Sequence, residues 1–203
     1  MFPDLLRARL PAAAPLSEEL VAQLVRHCEL MLKWNRTLNL TRIDRLDEVV
    51  ERHYCESVFL ARHLPPSGRI VDIGSGAGFP GIPVAVLCPG SAVTLVESHQ
   101  RKAVFLKEAA RQLPNVRVLA CRAEAVRERF DWAISRAVSY EDLRGPLKAL
   151  AANAALLTGL DEPPASLGFS WEEPIPLPWG TARFLRIGRQ EFPPGQRVPG
   201  LSR

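Results

Sequence analysis

The chain has 203 residues, a length that fits one globular domain with room for a helical appendage. Hydrophobic residues make up 47% and charged residues 24% of it, which excludes a disordered or fibrous protein. No apolar run approaches the ~20 residues of a membrane span. Charges at Asp4, Arg7 and Arg9 interrupt the start of the chain, which argues against a signal peptide. We therefore expect a cytoplasmic protein with no membrane partner.

Arginine dominates the basic residues, with 22 arginines against four lysines at a formal net charge of +4. Arginine makes bidentate contacts with phosphate and stacks on bases, so this bias favours nucleic acid binding. A GC-rich genome would produce the same bias without functional meaning. The four cysteines are isolated, with no C-x-x-C pair and no histidine at ligand spacing. They predict reduced core cysteines and no metal site.

Helices are predicted for the first third of the chain. The first sixteen residues contain three prolines and are predicted to form a loosely ordered lead-in. From Ser17 onward, apolar residues recur every three or four positions, which predicts an amphipathic helix with Ser17 as its N-cap. A second helical stretch is predicted from about 46 to 64, with a break near Cys55.

A cluster of helix breakers, Pro65-Pro66-Ser67-Gly68, predicts a boundary between a helical extension (1–66) and a second domain (67–203). After it, strands and helices alternate, which predicts a mostly parallel, Rossmann-like α/β sheet with helices on both faces. The predicted elements are strand 69–73, helix 81–88, strand 92–97, helix 99–113, strands 116–120 and 132–135, helix 140–153 and strand 155–158. The tail 174–187 predicts an antiparallel hairpin at a sheet edge.

Four glycines lie within eight residues directly after the first strand; we call residues 74–81 the glycine loop. Ligands bind at the carboxyl ends of parallel strands, and glycine lets them approach the backbone. A P-loop is excluded because it requires a lysine at its end, and none lies near the loop. A dinucleotide fingerprint can start at Gly76 but not at Gly74, where the strand ends. Pro80 also lies where amides would have to face a pyrophosphate.

A third pattern, D-x-G-x-G-x-G, is similar to the first motif of class I S-adenosylmethionine-dependent methyltransferases. Its residues here are Asp72, Gly74, Gly76 and Gly78. Glu97 ends the second strand, where a carboxylate can accept both ribose hydroxyls of either NAD or the methyl donor. Ala123 and Glu124 follow the third strand, where such a methyltransferase would hold adenine, and Arg136 follows the fourth, facing the transferred methyl.

Six strings of the chain resemble the glucose-inhibited division protein B family: KWNRTLNLT, RHYCES, GSGAGFPGIPVAV, ESHQRKAVFL, CRAEAV and SRAVS. The resemblance covers about residues 20 to 145. It implies a class I methyltransferase fold, S-adenosylmethionine as cofactor, and methylation of N7 of a guanine in bacterial 16S ribosomal RNA. The implied partner is that RNA, naked or within the small ribosomal subunit. The implied donor-binding positions are Gly74, Ser75, Phe79, Ala123, Glu124 and Arg136, with Glu97 as the ribose acid.

Guanine N7 has a free lone pair, so its methylation needs no general base, and we assign no catalytic residue from the sequence. Asn39, His53 and Arg197 are the candidates for contacts with the RNA. A turn asparagine and a core histidine are the structural alternatives for the first two.

The sequence departs from the family after about residue 150, where Leu157-Thr158-Gly159-Leu160-Asp161 replaces the usual lysine-glycine pair. The basic C-terminal tail around Arg197 is also thinned. This departure leaves open a donor-binding rRNA-binding module with reduced activity. The sheet itself also leaves open an NAD-linked oxidoreductase on the same fold. We expect a monomer in each case.

Overall fold

The structure is a computed structural model that describes residues 1–11 and 15–190. Its α-helices are α1 (Phe2–Arg9), α2 (Glu18–Leu38), α3 (Leu46–Val49), α4 (Glu56–Ala61), α5 (Gly81–Leu87), α6 (Gln100–Ala109) and α7 (Tyr140–Leu150). Its strands are β1 (Ser67–Ile73), β2 (Gly90–Val96), β3 (Val116–Leu119), β4 (Phe130–Arg136), β5 (Ala151–Thr158), β6 (Phe169–Trp171), β7 (Ile175–Pro176) and β8 (Phe184–Gln190). A π-helical segment, Val50–Cys55, joins α3 to α4, and 3-10 turns lie at Ala123–Ala125 and Ala165–Leu167.

The strands form one sheet in the order β3-β2-β1-β4-β5-β8-β6, with β7 also paired to β8. The first five strands run parallel, and β8 is antiparallel to β5, β6 and β7. The strand order reverses between β1 and β4, which creates a ligand-binding crevice at their carboxyl ends. The predicted mostly parallel α/β sheet is confirmed.

Helices cover both faces of the sheet. Ile70 and Leu95 point to one face, where they pack in a hydrophobic cluster with α1 to α6. Val71 and Ala133 point to the other face, where Leu147 of α7 packs against them. Since the helices before β1 share the first cluster with the sheet, the two parts predicted to meet at residue 66 have a common core.

The first helix corrects the predicted lead-in. Phe2 and Leu6 are buried, and the Phe2 ring contacts the edge of Tyr54 at a centroid distance of 4.8 Å. The Trp179 indole N–H donates to the carbonyl of Arg9 at 3.1 Å, which ties the end of α1 to the C-terminal part of the chain. Pro3 lies in the first turn, where a missing N–H costs nothing, so this proline does not break the helix.

Other boundaries differ from the predictions for physical reasons. The break expected near Cys55 is the π-helical segment, so the second helical stretch is continuous up to Ala61. α7 ends at Leu150 rather than 153, and β5 begins at the next residue. The alanine-rich sequence there favours a helix, but pairing with β4 and β8 overrides that propensity.

The predicted C-terminal hairpin exists as β7 and β8, but β8 is not at the sheet edge. It lies between β5 and the short strand β6, which the sequence pattern did not predict. A strand of three residues is too short to show alternation.

The predicted core location is confirmed for three of the four cysteines and is wrong for Cys121. Cys28, Cys55 and Cys88 are buried, whereas Cys121 is partly exposed. Over residues 1–11 and 15–190, no helix has both the length and the apolar character that crossing a bilayer requires. The same residues contain no cluster of three or more metal-ligating side chains.

We predict that Leu6→Ala lowers the free energy of unfolding by about 2–5 kcal/mol, because it opens a cavity at a side chain that is 0% exposed. Urea titration measures this change. The matched control is Leu160→Ala, at a side chain that is 68% exposed, which we expect to stay within ~0.5 kcal/mol of the wild type. Equal, small effects at both positions would mean that α1 contributes nothing to the core.

Candidate functional site

Two adjoining cavities open at the carboxyl ends of β1, β2 and β4, at the crevice that the strand order predicts. The larger cavity has a volume of about 520 Å³ and lies between the glycine loop, the segment 40–43 and the end of β4. The smaller cavity, of about 270 Å³, lies between β1, the 3-10 turn after β3 and the start of α7. Gly74 lines both cavities, so they meet at the start of the glycine loop.

The glycine loop is held by backbone hydrogen bonds to the end of β2. The amides of Gly74 and Ser75 both donate to the carbonyl of Val96, at 2.9 and 3.1 Å. The Ser75 hydroxyl is buried and donates to the Asp72 carbonyl at 3.0 Å. The loop therefore has a fixed position at the crevice, as a binding site requires.

Two glycines of the loop serve opposite sides of it. Gly76 has a φ of +54°, and a Cβ there would meet no atom nearer than the Gly74 carbonyl oxygen at 3.8 Å. A ligand in the larger cavity can therefore contact the backbone at Gly76. Gly78 has a φ of +89°, and a Cβ there would lie 2.7 Å from Ile82 and 3.0 Å from the His27 ring. Gly78 thus lets the loop pack closely against α2 and α5.

Glu97 ties the glycine loop to the start of α6. Its side chain is buried, and its two carboxylate oxygens accept backbone N–H groups from Gly76 at 2.9 Å and from His99 at 2.7 Å. A carboxylate offers about four acceptor positions, so these two bonds leave capacity for a ligand. Glu97 also lines the larger cavity, where that capacity is accessible.

Asp72 lies behind the loop and lines neither cavity. It is 0% exposed, and its Oδ2 accepts the Gly81 amide at 3.0 Å, where α5 begins. Burial raises the pKa of Asp72 to about 7, and the nearby Glu97 carboxylate acts in the same direction. Asp72 and Gly78 were both predicted to bind the donor. In the structure neither of them lines the larger or the smaller cavity, and both instead support the shape of the loop.

The other predicted donor-binding residues do line the cavities. Ala123 and Glu124 lie in the wall of the smaller cavity, opposite Gly74. Phe79 and Arg136 lie in the wall of the larger cavity, together with Ser75 and Gly76 of the glycine loop. The structure therefore brings together residues that are up to 62 positions apart along the chain.

His53 lies in the π-helical segment and contacts three neighbours at the larger cavity. Its ring stacks on Phe79 with centroids 4.5 Å apart and planes 18° apart. Its Nε2 lies 2.9 Å from Thr41 Oγ1, and its Nδ1 lies 2.6 Å from Arg136 Nη1. Burial, aided by the Arg136 and Arg52 charges, lowers the pKa of His53 to about 2, so the ring is neutral. Arg136 can only donate, so Nδ1 accepts and Nε2–H donates to Thr41.

Of the other two candidates for RNA contact, Asn39 does not line the cavities and Arg197 is not among the described residues. Asn39 ends α2 in the left-handed region with a φ of 48°, and it lines neither cavity. The alternative of a turn asparagine therefore describes its position. Arg197 lies outside the described residues.

Sequence reasoning missed several residues at the larger cavity, and it missed the groups that support them. Thr41, Arg42, Arg52 and Lys102 line this cavity. Glu56 and Arg183 lie next to Arg136 and form ion pairs there. Glu56 is the charged residue of the mostly apolar helix α4 and lies three positions after His53, a pattern that could have indicated a buried charge at the site. No local sequence pattern marks Thr41, Arg42, Arg52, Lys102 or Arg183 as residues of the site.

Comparison with known proteins assigns the family. The family model for GidB, rRNA small subunit methyltransferase G, matches residues 20–145. The chain therefore belongs to this family, a class of methyltransferases. A "Ribosomal RNA small subunit methyltransferase G" from Dichelobacter nodosus is 46% identical over 129 residues, which cover 62% of this chain and 61% of that protein. One from Nitrosomonas europaea is 45% identical over 124 residues, 59% of this chain and 58% of its own length. The chain thus spans about three fifths of these relatives.

Solved structures support the fold. A SAM-dependent methyltransferase from Aquifex aeolicus superposes with a TM-score of 0.55 at 16% identity, covering 70% of this chain and 92% of that one. A TehB-like SAM-dependent methyltransferase from Corynebacterium glutamicum gives 0.55 at 15% identity, covering 82% and 99%. The class I methyltransferase fold is confirmed. The NAD-linked oxidoreductase alternative receives no support from these matches.

We predict that Asp72 gives the protein a pH-dependent stability that Asp72→Asn removes. The pKa of Asp72 is about 7 when folded, against an ordinary value of 3.8, so the folded chain holds this proton where the unfolded chain has released it. This contribution to the free energy of unfolding is therefore largest below pH 4 and falls as the pH rises toward 7. Urea titrations of both proteins between pH 4 and 8 measure the difference, and parallel curves would contradict the assignment.

Proposed function

We propose that the chain is an S-adenosylmethionine-dependent methyltransferase that methylates N7 of a guanine in bacterial 16S ribosomal RNA. The observation that carries the proposal is that the residues of the cavity walls all lie within the segment that matches the family. The segment 20–145, which matches the rRNA methyltransferase family, contains every residue that we have placed on the walls of the two cavities. S-adenosylmethionine consists of a nucleoside and an amino-acid part, and two adjoining cavities can hold these two parts.

Each part of the donor has a proposed place on the cavity walls. We propose that Ala123 and Glu124 hold the adenine in the smaller cavity and that Glu97 accepts hydrogen bonds from the ribose hydroxyls. The free space over Gly76 supports close approach of the donor to the backbone of the loop. Arg136, at the wall of the larger cavity, is proposed to lie beside the reacting end of the donor.

The bound donor supplies a methyl group on a sulfonium, which is a good leaving group. Guanine N7 has no proton to lose, so the residues of this chain need only hold the acceptor ring in line and exclude water. Such positioning contributes roughly 7–11 kcal/mol to lowering a barrier. His53 is suited to this role rather than to proton transfer, because its ring is neutral and both of its nitrogens are engaged. No general base is required.

The charge at the larger cavity supports an anionic substrate. Four cationic side chains line it: Arg42, Arg52, Lys102 and Arg136. Glu97 is the one carboxylate among the described residues of that wall, and two backbone amides already engage it. We propose that Arg42 and Lys102, which form no ion pair with any described residue, contact RNA phosphates.

The remaining assignments also belong to this proposal. We propose that the protein acts on 16S ribosomal RNA in the bacterial cytoplasm, as a monomer that uses no metal. The division into a helical extension (1–66) and a methyltransferase domain (67–203) is part of the same proposal. An rRNA-binding module with reduced activity is the alternative, and the methyl-transfer experiment below decides between them.

We predict that Gly76→Val abolishes binding of S-adenosylmethionine in titration calorimetry, because the new side chain occupies cavity space. The matched control is Gly145→Ala, since a Cβ at Gly145 would have no atom within 4 Å. We expect Glu97→Ala to weaken binding by ~1.5–3 kcal/mol, the cost of losing hydrogen bonds to a charged group. Unchanged affinity in Gly76→Val, with its fold verified by circular dichroism, would refute the donor site.

We predict that labelled methyl from the donor enters one guanine of undermethylated 16S RNA, supplied naked or in small subunits, and that the label maps to N7. The single-turnover rate should be nearly flat from about pH 6 to 9, because no proton is removed. A protein that binds the RNA without transferring label would be the inactive module. An acid limb with an apparent pKa near 6.5 that disappears in His53→Ala would instead indicate a general base.

We predict that affinity for the RNA falls steeply with salt, since each neutralised phosphate contributes a slope of approximately −0.7 on single-stranded RNA. Arg42→Ala and Lys102→Ala should each reduce that slope, as measured by filter binding across a salt series. Arg111→Ala, at an exposed residue paired with Glu108, is the control and should leave the slope unchanged. A salt-independent affinity would mean that the arginines have no role in binding RNA.

A further inference from the structure

Glu56 is a fully buried carboxylate that two arginines share. Arg183 approaches it with two nitrogens, Nε at 2.6 Å from Oε1 and Nη2 at 2.8 Å from Oε2. Arg136 is farther away, with its Nε 3.5 Å from Oε2. The Glu56 side chain is 0% exposed, and removing one partner from a buried ion pair leaves an uncompensated charge. The three groups therefore depend on one another for their positions.

The cluster continues from Arg136 to the cavity wall. Arg136 Nη1 donates to His53 Nδ1 at 2.6 Å, and His53 in turn contacts Thr41 Oγ1 at 2.9 Å. The Thr41 amide donates to Asn35 Oδ1 at 2.9 Å, which fixes the threonine. Arg136, His53 and Thr41 line the larger cavity, whereas Glu56 and Arg183 do not. The Glu56–Arg183 ion pair thus lies behind the cavity wall and contacts it through Arg136.

Arg136 and Arg183 both face the Glu56 carboxylate, but at different distances. A buried carboxylate attracts the nearest guanidinium strongly. Arg183 takes the two short contacts, so Arg136 stays at 3.5 Å from Glu56 and keeps its bond to His53. Without Arg183, Arg136 would be drawn toward Glu56 and away from the histidine. The orientation of Arg136, which lines the cavity, therefore depends on Arg183, which does not line it.

We infer that Glu56 and Arg183 are a pair of positioning residues that hold Arg136 against His53 at the wall of the larger cavity. Arg183 immediately precedes β8 and lies outside the segment 20–145 that matches the family model. Through Arg183, the described C-terminal part of the chain therefore contacts the residues behind the wall of the larger cavity. The inference about orientation stands on geometry alone; only its effect on methyl transfer rests on the proposed function.

The test of orientation is the nitrogen-15 spectrum of the four histidine rings, which needs no substrate. We expect Arg183→Met to shift the His53 Nδ1 resonance and leave those of His63 and His99 in place. Arg183→Lys, which keeps the charge, should restore part of the wild-type shift. The control is Arg189→Met on β8, where the wild-type arginine is 76% exposed and lies 3.7 Å from Glu172; His53 should not respond to it. A His53 spectrum unchanged in Arg183→Met, even with a lowered melting temperature, would overturn the inference.

The second readout is the single-turnover rate at saturating donor and RNA. Misplacement of a group at a reacting centre by about 1 Å costs on the order of 100-fold, so we expect a loss of 10- to 100-fold in Arg183→Met. The loss should be smaller in Arg183→Lys and absent in Arg189→Met. A wild-type protein that transfers no methyl, while its His53 responds to Arg183→Met, would refute the proposed function and leave the positioning pair intact. An active wild type with an equally active Arg183→Met would show that the pair does not position the site.

Discussion

The site depends most on the contact between the Glu97 carboxylate and the backbone amides of Gly76 and His99. It joins the loop after β1 to the start of α6, so that the carboxyl ends of two neighbouring strands form one rigid edge. Asp72 secures the loop from the other side through the Gly81 amide. Two buried carboxylates thus hold the loop, one at the Gly76 amide and one at the Gly81 amide, and Gly76 lines the larger cavity. The proposed donor site therefore includes partly exposed main chain at Gly76, where a Cβ would meet no atom nearer than 3.8 Å.

Much of the glycine loop and its surroundings could be predicted from the sequence, because the patterns that indicate them are short and local. A strand that runs into a glycine-rich turn and a helix is visible within about twelve residues, and the Ser17 cap of α2 is visible within four. Glu97, Ala123, Glu124 and Arg136 were found because they follow successive strands in order. The position of Asp72 behind the loop was not predictable, since spacing alone does not tell which way a side chain points.

The rest depends on contacts between residues far apart in the chain. Glu56 and Arg183 are 127 positions apart, and no local pattern connects them. The burial of α1 also depends on such contacts, since Trp179 reaches the carbonyl of Arg9 across 170 positions. Both contacts join the C-terminal part, where the sequence departs from the family, to the helices that precede the sheet. The residues of the two cavity walls lie within the segment 20–145 that matches the family model, whereas Arg183 lies outside that segment and behind one wall.

A crystal structure of the complex with S-adenosylhomocysteine tests the central claim, that the two adjoining cavities form one donor site, most directly. The account predicts continuous density through both cavities, with the purine beside Ala123 and Glu124 and the ribose hydroxyls on Glu97. The backbone at Gly76 should contact the ligand, and Arg136 should keep its bond to His53. A ligand confined to one cavity, bound elsewhere on the chain, or without contact to Glu97 would contradict it.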